Sequence, residues 1–129
     1  MKLNQIEIIL YVADQQRSTE YYSQLFLIKP SLNVSGMTEF DLCNNTKLGL
    51  MLEDGIAKIL TPKLPHPNEA SGIPRCELYI KIDNPKEYFD RAIQLGGKLV
   101  SDIKKRDWGD EVGYISDLDG HILAFAKSK

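Results

Sequence analysis

Apolar and polar positions in the first half of the chain have the spacing of one strand, one helix and then several short strands. The segment "IEIILYV" is apolar and rich in β-branched residues, which predicts a strand over residues 6–12. Asp14 precedes "QQRSTEYYSQLF", where apolar residues recur every three or four positions, so we expect a helix capped by Asp14. Turn-forming residues divide the next segment into three predicted strands, near residues 28–35, 38–43 and 46–52.

The second half of the chain repeats this order. "ELYIKI" predicts a strand, and "DNPKEYFDRAIQLGG" predicts a helix with Asn84 at its cap, Pro85 in its first turn and Gly96 at its end. "KLVSDIKK", "EVGYIS" and "HILAFAK" then predict three more strands. The sequence therefore predicts an α+β fold: one domain over residues 1–129, made of two βαβββ modules at about 1–54 and 76–129.

Residues 55–75, between the two modules, hold four of the six prolines. Proline cannot continue a helix or the interior of a sheet, so this segment is predicted to be a linker or long loop. His66 lies between two of these prolines and is expected to be an exposed loop side chain.

Charge and composition argue against some classes of partner and indicate a cellular location. Sixteen basic and eighteen acidic residues give a net charge of −2 without a long run of like charge, which argues against nucleic acid as a partner. No stretch is apolar for long enough to cross a bilayer, and nothing resembles a signal peptide. We therefore expect a cytoplasmic protein without a membrane partner, in which Cys43 and Cys76 are reduced thiols.

Two short motifs carry a resemblance to a known family. The pattern V-x-D-x-x-x-S-x-x-F/Y-Y is matched by Val12, Asp14, Ser18, Tyr21 and Tyr22. Residues 117–120, Asp-Leu-Asp-Gly, match D-P-D-G except that leucine replaces the proline, and Phe26-Leu27 stands where a leucine-glycine commonly ends the first helix. With the repeat, the chain resembles the vicinal-oxygen-chelate superfamily, which includes glyoxalase I, extradiol dioxygenases, fosfomycin-resistance enzymes and bleomycin-resistance proteins.

The resemblance implies sheets that curl around one cleft in a protein that is usually a homodimer, sometimes with modules shared between chains. Alternate residues of the strands line such a cleft. On the first strand this alternation sends Ile6, Ile8, Leu10 and Val12 to the core and leaves Glu7, Ile9 and Tyr11 for the cleft. On "ELYIKI" it sends Leu78, Ile80 and Ile82 to the core and leaves Glu77, Tyr79 and Lys81 for the cleft.

The resemblance also implies where a divalent metal would bind. The positions of Glu7 and Glu77 carry histidine or glutamine in the family's metalloenzymes, and two further ligands, commonly glutamates, come from the last strand of each module. Those two positions hold Gly49 and Ala124 here, and neither residue can bind a metal. We therefore expect no metal and no cofactor, although two carboxylates with waters leave open a weak manganese or magnesium site.

Small residues at 49 and 124 leave room for a ligand. A roomy cleft with aromatic walls suits a flat or aromatic molecule. The resemblance implies that Trp108, in the "RDWGD" turn, lies near the mouth of the cleft; alternatively, its ring only shields the hairpin. Arg106 and Asp107 are expected to be solvated turn charges. No catalytic residue is assigned; the predicted ligand-binding residues are Glu7, Ile9, Tyr11, Met51, Glu77, Tyr79, Lys81, Trp108, Tyr114 and Ala124.

Three functions remain open. The first, preferred, is a small-molecule-binding protein of the bleomycin-resistance type that sequesters an aromatic or cationic organic ligand without a metal, and so confers antibiotic resistance. The second is a metal-dependent glyoxalase-like lyase or dioxygenase with an atypical Glu7/Glu77 site. The third is a metal-free lyase or isomerase that uses one of these glutamates as a base. Alternatively, each glutamate points to water or pairs with Lys81 or another base.

The stretch "DLDGH" between the last two predicted strands could also be a site. Asp117, Asp119 and Gly120 are better explained as hairpin-turn residues, because Asp supports local hydrogen bonds and Gly supplies a positive φ. His121 is expected to be a turn or dimer-surface residue, and neither cysteine has a plausible histidine partner in the sequence.

Overall fold

The computed structural model describes residues 2–127 and divides the chain into two compact units, Met1–Glu69 and Ala70–Lys129. Each unit has one four-stranded mixed sheet, and the chain has three helices in its described part. This confirms the predicted α+β fold of two βαβββ repeats. The grouping of both modules into a single domain stays a prediction.

The first unit has the predicted order of elements and adds one helix. Its sheet has the order β1-β4-β3-β2, in which β1 and β4 are parallel and the other pairs are antiparallel. Fully buried Leu10, Val12, Leu48, Leu50 and Phe40 form its core. The elements are β1 (Ile6–Val12), α1 (Gln15–Phe26), β2 (Leu32–Val34), β3 (Met37–Cys43), β4 (Thr46–Leu52) and α2 (Glu53–Leu60).

Helix α1 begins and ends as its sequence indicates. Asp14 caps it by accepting a hydrogen bond from Arg17 N at 3.0 Å. Tyr21, Tyr22 and Leu25 are buried on one face of the helix. At the C-cap, Leu27 has φ 57°, a left-handed conformation that is unfavourable for a residue with a Cβ atom. The departure from leucine-glycine therefore leaves strain at this helix end.

The prediction of a linker or loop from residue 55 onward is wrong for its first residues. Helix α2 covers Glu53–Leu60, and a 3-10 turn covers Pro67–Ala70. All four prolines of the segment come after α2, so none interrupts it, and the only helix breaker inside α2 is Gly55. The helix was not predicted because the four prolines that follow it dominate the composition of residues 55–75.

The second unit has the sheet order β5-β8-β7-β6, with β5 parallel to β8 and the other pairs antiparallel. Strand β6 lies at one edge, has two register shifts against β7, and exposes Leu99 and Val100. The elements are β5 (Glu77–Lys81), α3 (Pro85–Gln94), β6 (Lys98–Lys105), β7 (Glu111–Ser116) and β8 (Ile122–Lys127).

Helix α3 packs closely on this sheet at Gly113. A Cβ atom at position 113 would lie 2.5 Å from Ile103 Cγ1 and 2.7 Å from Phe89 Cδ1. Phe89 itself is 5% exposed, so its ring occupies the place that a side chain on β7 would need. Glycine at 113 is required by this close approach of helix and sheet.

The turn between β7 and β8 is an ordinary hairpin turn. Asp117 Oδ1 accepts hydrogen bonds from the backbone N–H groups of Asp119 and His121, both at 2.9 Å, and Gly120 has φ 90°. The predicted turn chemistry is therefore present. Of the helices in the described residues, none is long and apolar enough to cross a membrane.

Candidate functional site

One face of the first sheet is not covered by helix α1 and carries the predicted site residues. Strand register places Glu7 beside Lys47, Ile9 beside Gly49 and Tyr11 beside Met51. Because side chains alternate along each strand, these positions share a face opposite to the buried Leu10 and Val12. Ile9 is 40% exposed. This face, which we call the open face of the first sheet, has apolar residues at one end and charges at the other.

Glu7 lies over Gly49 on this open face. A Cβ atom at position 49 would be 2.5 Å from Glu7 Oε2, so the carboxyl group occupies the space that the glycine leaves. Oε2 is shielded from solvent and has no hydrogen-bond partner. Burial raises the pKa of the Glu7 carboxyl, and neighbouring Glu39 raises it further as hydrogen-bond partner and like charge, whereas Lys47 lowers it. Glu7 is thus biased toward its protonated form.

Glu39 is a site residue that was not predicted from the sequence. It lies on β3 directly opposite Gly49, which places it beside Glu7. Lys47 Nζ lies 3.7 Å from Glu39 Oε1 and 3.2 Å from Asp41 Oδ1. The hydrogen bond with Asp41 is the main reason that the pKa of Lys47 is raised. The Asn44-Asn45 turn alone would pair position 39 with 50, on the other face; a register shift between Asp41 and Cys43 pairs it with 49 instead, and no sequence signal indicated that shift.

The corresponding open face of the second sheet is aromatic at its centre. Ala124 on β8 pairs with Tyr79 on β5 and with Tyr114 on β7. Both rings pack against a buried cluster of Val112, Ala124 and Ala126. Glu77 and Lys81, on the same face of β5, are exposed. The Ala124 methyl group therefore lies buried beneath the Tyr79 and Tyr114 rings.

Trp108 is connected to Tyr79 by a short hydrogen-bonded chain. The indole Nε1 donates to Tyr79 Oη at 2.8 Å, and the Tyr79 hydroxyl donates to Asp110 Oδ2 at 2.7 Å. Trp108 is nevertheless 59% exposed. Burial raises the pKa of the Tyr79 phenol; the hydrogen bond from Trp108 lowers it, while the hydrogen bond and charge of Asp110 raise it. The sequence indicated Trp108 and Tyr79 but not Asp110.

Arg106 is not a solvated turn charge, and that prediction is wrong. Its guanidinium donates to Val112 O at 2.8 Å, Asp102 O at 2.9 Å and Ser101 Oγ at 3.0 Å. It also lies over the Tyr114 ring, 5.0 Å from the centroid. The irregular pairing of β6 with β7 leaves carbonyl groups that this long side chain, with its several donors, satisfies. Asp107, in the same turn, is exposed as expected.

Cys76 and His121 form a thiol–imidazole pair, so the prediction that neither cysteine has a histidine partner is wrong. Cys76 Sγ lies 3.6 Å from His121 Nδ1. His121 is a turn residue, as one of its two predicted alternatives has it, but its side chain is buried. The two residues immediately precede the parallel strands β5 and β8, and Ile122 N donates to Cys76 O at 3.0 Å. Burial, and then the charge of Asp117, raise the pKa of the Cys76 thiol, while Arg75 lowers it. Strand pairing, which the linear spacing does not show, brings them together.

His66 also has a partner. Its Nε2 lies 2.9 Å from Asp54 Oδ1 and its Nδ1 accepts from Asn68 N at 3.1 Å. His66 lies in a loop, as predicted, but its side chain is only 28% exposed and is held by these two hydrogen bonds. The partner comes from helix α2, which was not predicted from the sequence.

An open polar groove of about 500 Å³ lies between the start of α1 and strand β2 in the first unit. Gln15 spans it, donating to Val34 O at 2.7 Å and accepting from Gly36 N at 2.8 Å. These bonds fasten the β2–β3 turn to α1. Gln15 in this groove thus has a structural role. None of the predicted site residues lines the groove.

The donor set does not fit the divalent metal that the family's enzymes hold. No group of three or more His, Cys, Asp and Glu side chains close enough to bind a metal exists among residues 2–127. Gly49 and Ala124 have no donor atom, and beside Glu39 the Lys47 ammonium already supplies a positive charge. Glu7 Oε2 has no hydrogen-bond partner, but it is a single oxygen atom, and burial raises the pKa of its carboxyl, which disfavours the ionised form that binds a metal.

Comparisons with known proteins agree with this architecture. The chain is 25% identical over 95 residues to uncharacterized proteins of Mycobacterium bovis and Mycobacterium tuberculosis, which covers 74% of this chain. It covers 55% and 49% of those relatives, so the chain spans about half the length of the curated relatives it matches.

Solved structures of similar fold cover nearly the whole chain. A glyoxalase-related enzyme from Fulvimarina pelagi has a TM-score of 0.81 at 21% identity, covering 98% of this chain and 89% of that one. A glyoxalase/bleomycin resistance protein/dioxygenase family enzyme from Burkholderia phytofirmans has a TM-score of 0.79 at 11% identity, covering 95% and 97%. At these identities the likeness shows the fold alone.

The sequence itself matches a family model over almost its full length. The match is to the glyoxalase-like domain and covers residues 5–129. It includes both βαβββ repeats and both motifs on which the resemblance to the superfamily was based. The chain therefore belongs to the glyoxalase-like domain family of the vicinal-oxygen-chelate superfamily.

Proposed function

We propose that this protein is a small-molecule-binding protein of the bleomycin-resistance type, which sequesters an organic ligand without a metal. The observation that carries the proposal is the environment of Ala124. A methyl group flanked by the Tyr79 and Tyr114 rings replaces the metal-binding glutamate that the family resemblance implies at this position. Ala124 itself is buried, so the surface offered to a ligand is that of the half-buried Tyr79 and Tyr114 rings, which favours a flat organic molecule over a metal ion.

Acidic groups on the open faces favour a positively charged ligand. Asp110 and Glu77 belong to the second sheet, whereas Glu7 and Glu39 on the first sheet contribute less negative charge, because the pKa of Glu7 is raised and Lys47 lies beside Glu39. A carboxylate next to an aromatic surface attracts cations that also stack on rings. The proposed ligand is therefore an aromatic or basic organic compound, and the predicted ligand-binding residues belong to this proposal.

The proposal extends to biological setting. We infer that the protein is a cytoplasmic homodimer and that sequestration of a basic or aromatic antibiotic is its role. The names of two structural neighbours include bleomycin resistance, which supports this class without selecting it over glyoxalase or dioxygenase activity. Light scattering coupled to gel filtration tests the dimer: the mass of a single chain, 14.6 kDa, would contradict it.

Elemental analysis and ligand screening test the function. The purified protein should contain no stoichiometric manganese, iron or zinc. A thermal-shift panel of aromatic amines and basic antibiotics should raise its melting temperature with at least one compound. Glu7→Ala or Glu77→Ala should weaken that binding, whereas Glu69→Ala, an exposed acidic residue outside the strands, should not.

A metal-dependent lyase or dioxygenase with a Glu7/Glu77 site is the second candidate. The one observation that supports it is the buried Glu7 Oε2 without a hydrogen-bond partner, because a bound cation would satisfy this oxygen; the few other donor groups around it count against it. Stoichiometric metal that disappears in Glu7→Ala would establish it and refute the sequestration proposal. Turnover that survives a chelator but is lost in Glu7→Gln or Glu77→Gln would instead indicate a metal-free lyase or isomerase.

A further inference from the structure

The Trp108 ring is exposed and yet held in one orientation. The residue is 59% exposed, but its single polar side-chain atom, Nε1, is bound to Tyr79 Oη at 2.8 Å. Tyr79 is fixed in turn by Asp110 at 2.7 Å and by packing of its ring against the buried cluster around Ala124. A large aromatic face is therefore presented to solvent by a rigid support, which lowers the entropy cost of stacking a ligand on it.

The hydrogen bonds among Trp108, Tyr79 and Asp110 leave only acceptor lone pairs available to a ligand. A tyrosine hydroxyl has one hydrogen and two lone pairs. The hydrogen of Tyr79 goes to Asp110, and one lone pair accepts the indole N–H. The raised pKa of Tyr79 keeps that hydrogen in place at neutral pH. What remains available is the second phenol lone pair and the other lone pairs of the Asp110 carboxylate, all of which require a donor.

The charge of Asp110 is also uncompensated. Within residues 2–127 it has no ion pair, since the nearby Arg106 directs its guanidinium to the carbonyl groups of Asp102 and Val112 and to Ser101 Oγ. Tyr79 supplies Asp110 with a neutral hydrogen bond only. A ligand that donates from a positively charged N–H group would gain more at Asp110 than a neutral donor, because charge-assisted hydrogen bonds are stronger.

We propose that Trp108, Tyr79 and Asp110 form a subsite for a planar aromatic cation with N–H donors, such as a protonated heteroaromatic amine. The ligand ring stacks on the indole of Trp108, and its N–H group donates to the Asp110 carboxylate. Asp110 determines specificity for the donor and charge, and Tyr79 is a positioning residue that holds both partners. This inference rests on the proposed ligand-binding function and names the ligand class and residues within it.

Trp108 is the only tryptophan, so selectively excited tryptophan fluorescence originates at this subsite. The probes are proflavine, a planar cation with two amino groups, and acridine, which has the same three rings without them and is uncharged at pH 8. Proflavine should quench Trp108 saturably and bind at least about tenfold more tightly than acridine by calorimetry at pH 8, since a charge-assisted hydrogen bond contributes about 1.5–3 kcal/mol.

Three variants separate the roles of these residues. Asp110→Asn keeps an acceptor for Tyr79 but removes the charge, so it should weaken proflavine about tenfold and leave acridine unchanged. Asp107→Asn makes the same change at an exposed position of the same turn and should alter neither probe. Tyr79→Phe releases the indole: Trp108 fluorescence anisotropy should fall without any ligand, and both probes should weaken by a similar factor.

The outcomes distinguish this inference from the proposed function. Equal affinity for proflavine and acridine, or an Asp110→Asn variant that binds like Asp107→Asn, would refute the subsite and leave the binding function intact. Binding of other panel compounds but of neither probe would do the same. Unchanged anisotropy in Tyr79→Phe would refute the positioning role. If no compound of the panel binds, the proposed function fails and the inference fails with it.

Discussion

A single added methyl group should have very different effects at Gly113 and at Gly49, two buried glycines in the middle of strands. At position 113 the methyl would lie 2.5 Å from Ile103 Cγ1 and 2.7 Å from two ring carbons of Phe89. At position 49 its nearest neighbour would be Glu7 Oε2, at 2.5 Å. Phe89 is a buried ring, whereas the Glu7 carboxyl is the end of a flexible side chain.

The free energies can be worked from these contacts. Carbon atoms pack best about 3.5–4.0 Å apart, so Gly113→Ala creates an overlap of about 1 Å that only a shift of helix α3 or β6 can relieve. Overpacking of this kind costs about 1–3 kcal/mol, against about 0.4–1 kcal/mol gained from the less flexible unfolded chain. Gly113→Ala should therefore destabilise by about 1–2 kcal/mol. Gly49→Ala should lie between about 0.5 kcal/mol more stable and about 1 kcal/mol less stable than the wild type, because rotating Glu7 away costs about 0.5–1.5 kcal/mol against the same gain of about 0.4–1 kcal/mol.

Urea unfolding of both variants beside the wild type measures these differences. Gly55→Ala is the matched control: a methyl there meets no atom within 4 Å, so this variant should be more stable by roughly 0.5–1 kcal/mol. A Gly113→Ala protein as stable as the wild type would refute the packing of Phe89 on β7. An equal loss in Gly49→Ala would refute the claim that the Glu7 carboxyl can move away.

Three further results are expected. The pKa of Glu7 is raised in the folded state, so the wild type loses stability as pH rises above the ordinary glutamate pKa of about 4.3. Glu7→Gln should therefore have a larger free energy of unfolding than the wild type at neutral pH and the same one below about pH 4.3; a constant difference across pH would contradict this. Iodoacetamide should label Cys43 faster than Cys76 at pH 7, with the gap narrowing at higher pH, because burial raises the Cys76 pKa; equal rates by mass spectrometry would refute it. Leu27→Gly should stabilise the protein by about 0.5 kcal/mol, since glycine adopts the left-handed conformation without strain and Leu27 is 65% exposed; a lower urea midpoint would count against it.

Local patterns were sufficient for the elements that carry their own signals. The Asp14 cap and the hairpin residues 117–120 depend on residues within a few positions, and the structure reproduces both. The alternation predicted for β1 holds for the buried Leu10 and Val12 but is wrong for Ile6, which is exposed at the start of the strand. Helix α2 was missed because it has no side-chain cap and directly precedes a proline-rich stretch. Its own amphipathic spacing was the signal, but the composition of the whole segment outweighed it.

The candidate site was harder to predict because its members meet through strand register. Glu39 reaches Glu7 across β4, and His121 reaches Cys76 because β5 and β8 are parallel neighbours. Arg106 depends on carbonyl groups left by the irregular β6–β7 pairing. A repeat and two motifs can place residues on a face, but only the register decides which side chains touch.

The edge strand β6 affects how readily this protein aggregates. An eight-residue edge strand with exposed Leu99 and Val100 is a template on which strands of other molecules could add and grow into aggregates. Lys98 at its start, Lys104 and Lys105 at its end and two register shifts between them keep its charge positive and its backbone twisted. These lysines act as gatekeepers, and neutralising them by acetylation or mutation would expose the strand to edge-to-edge association.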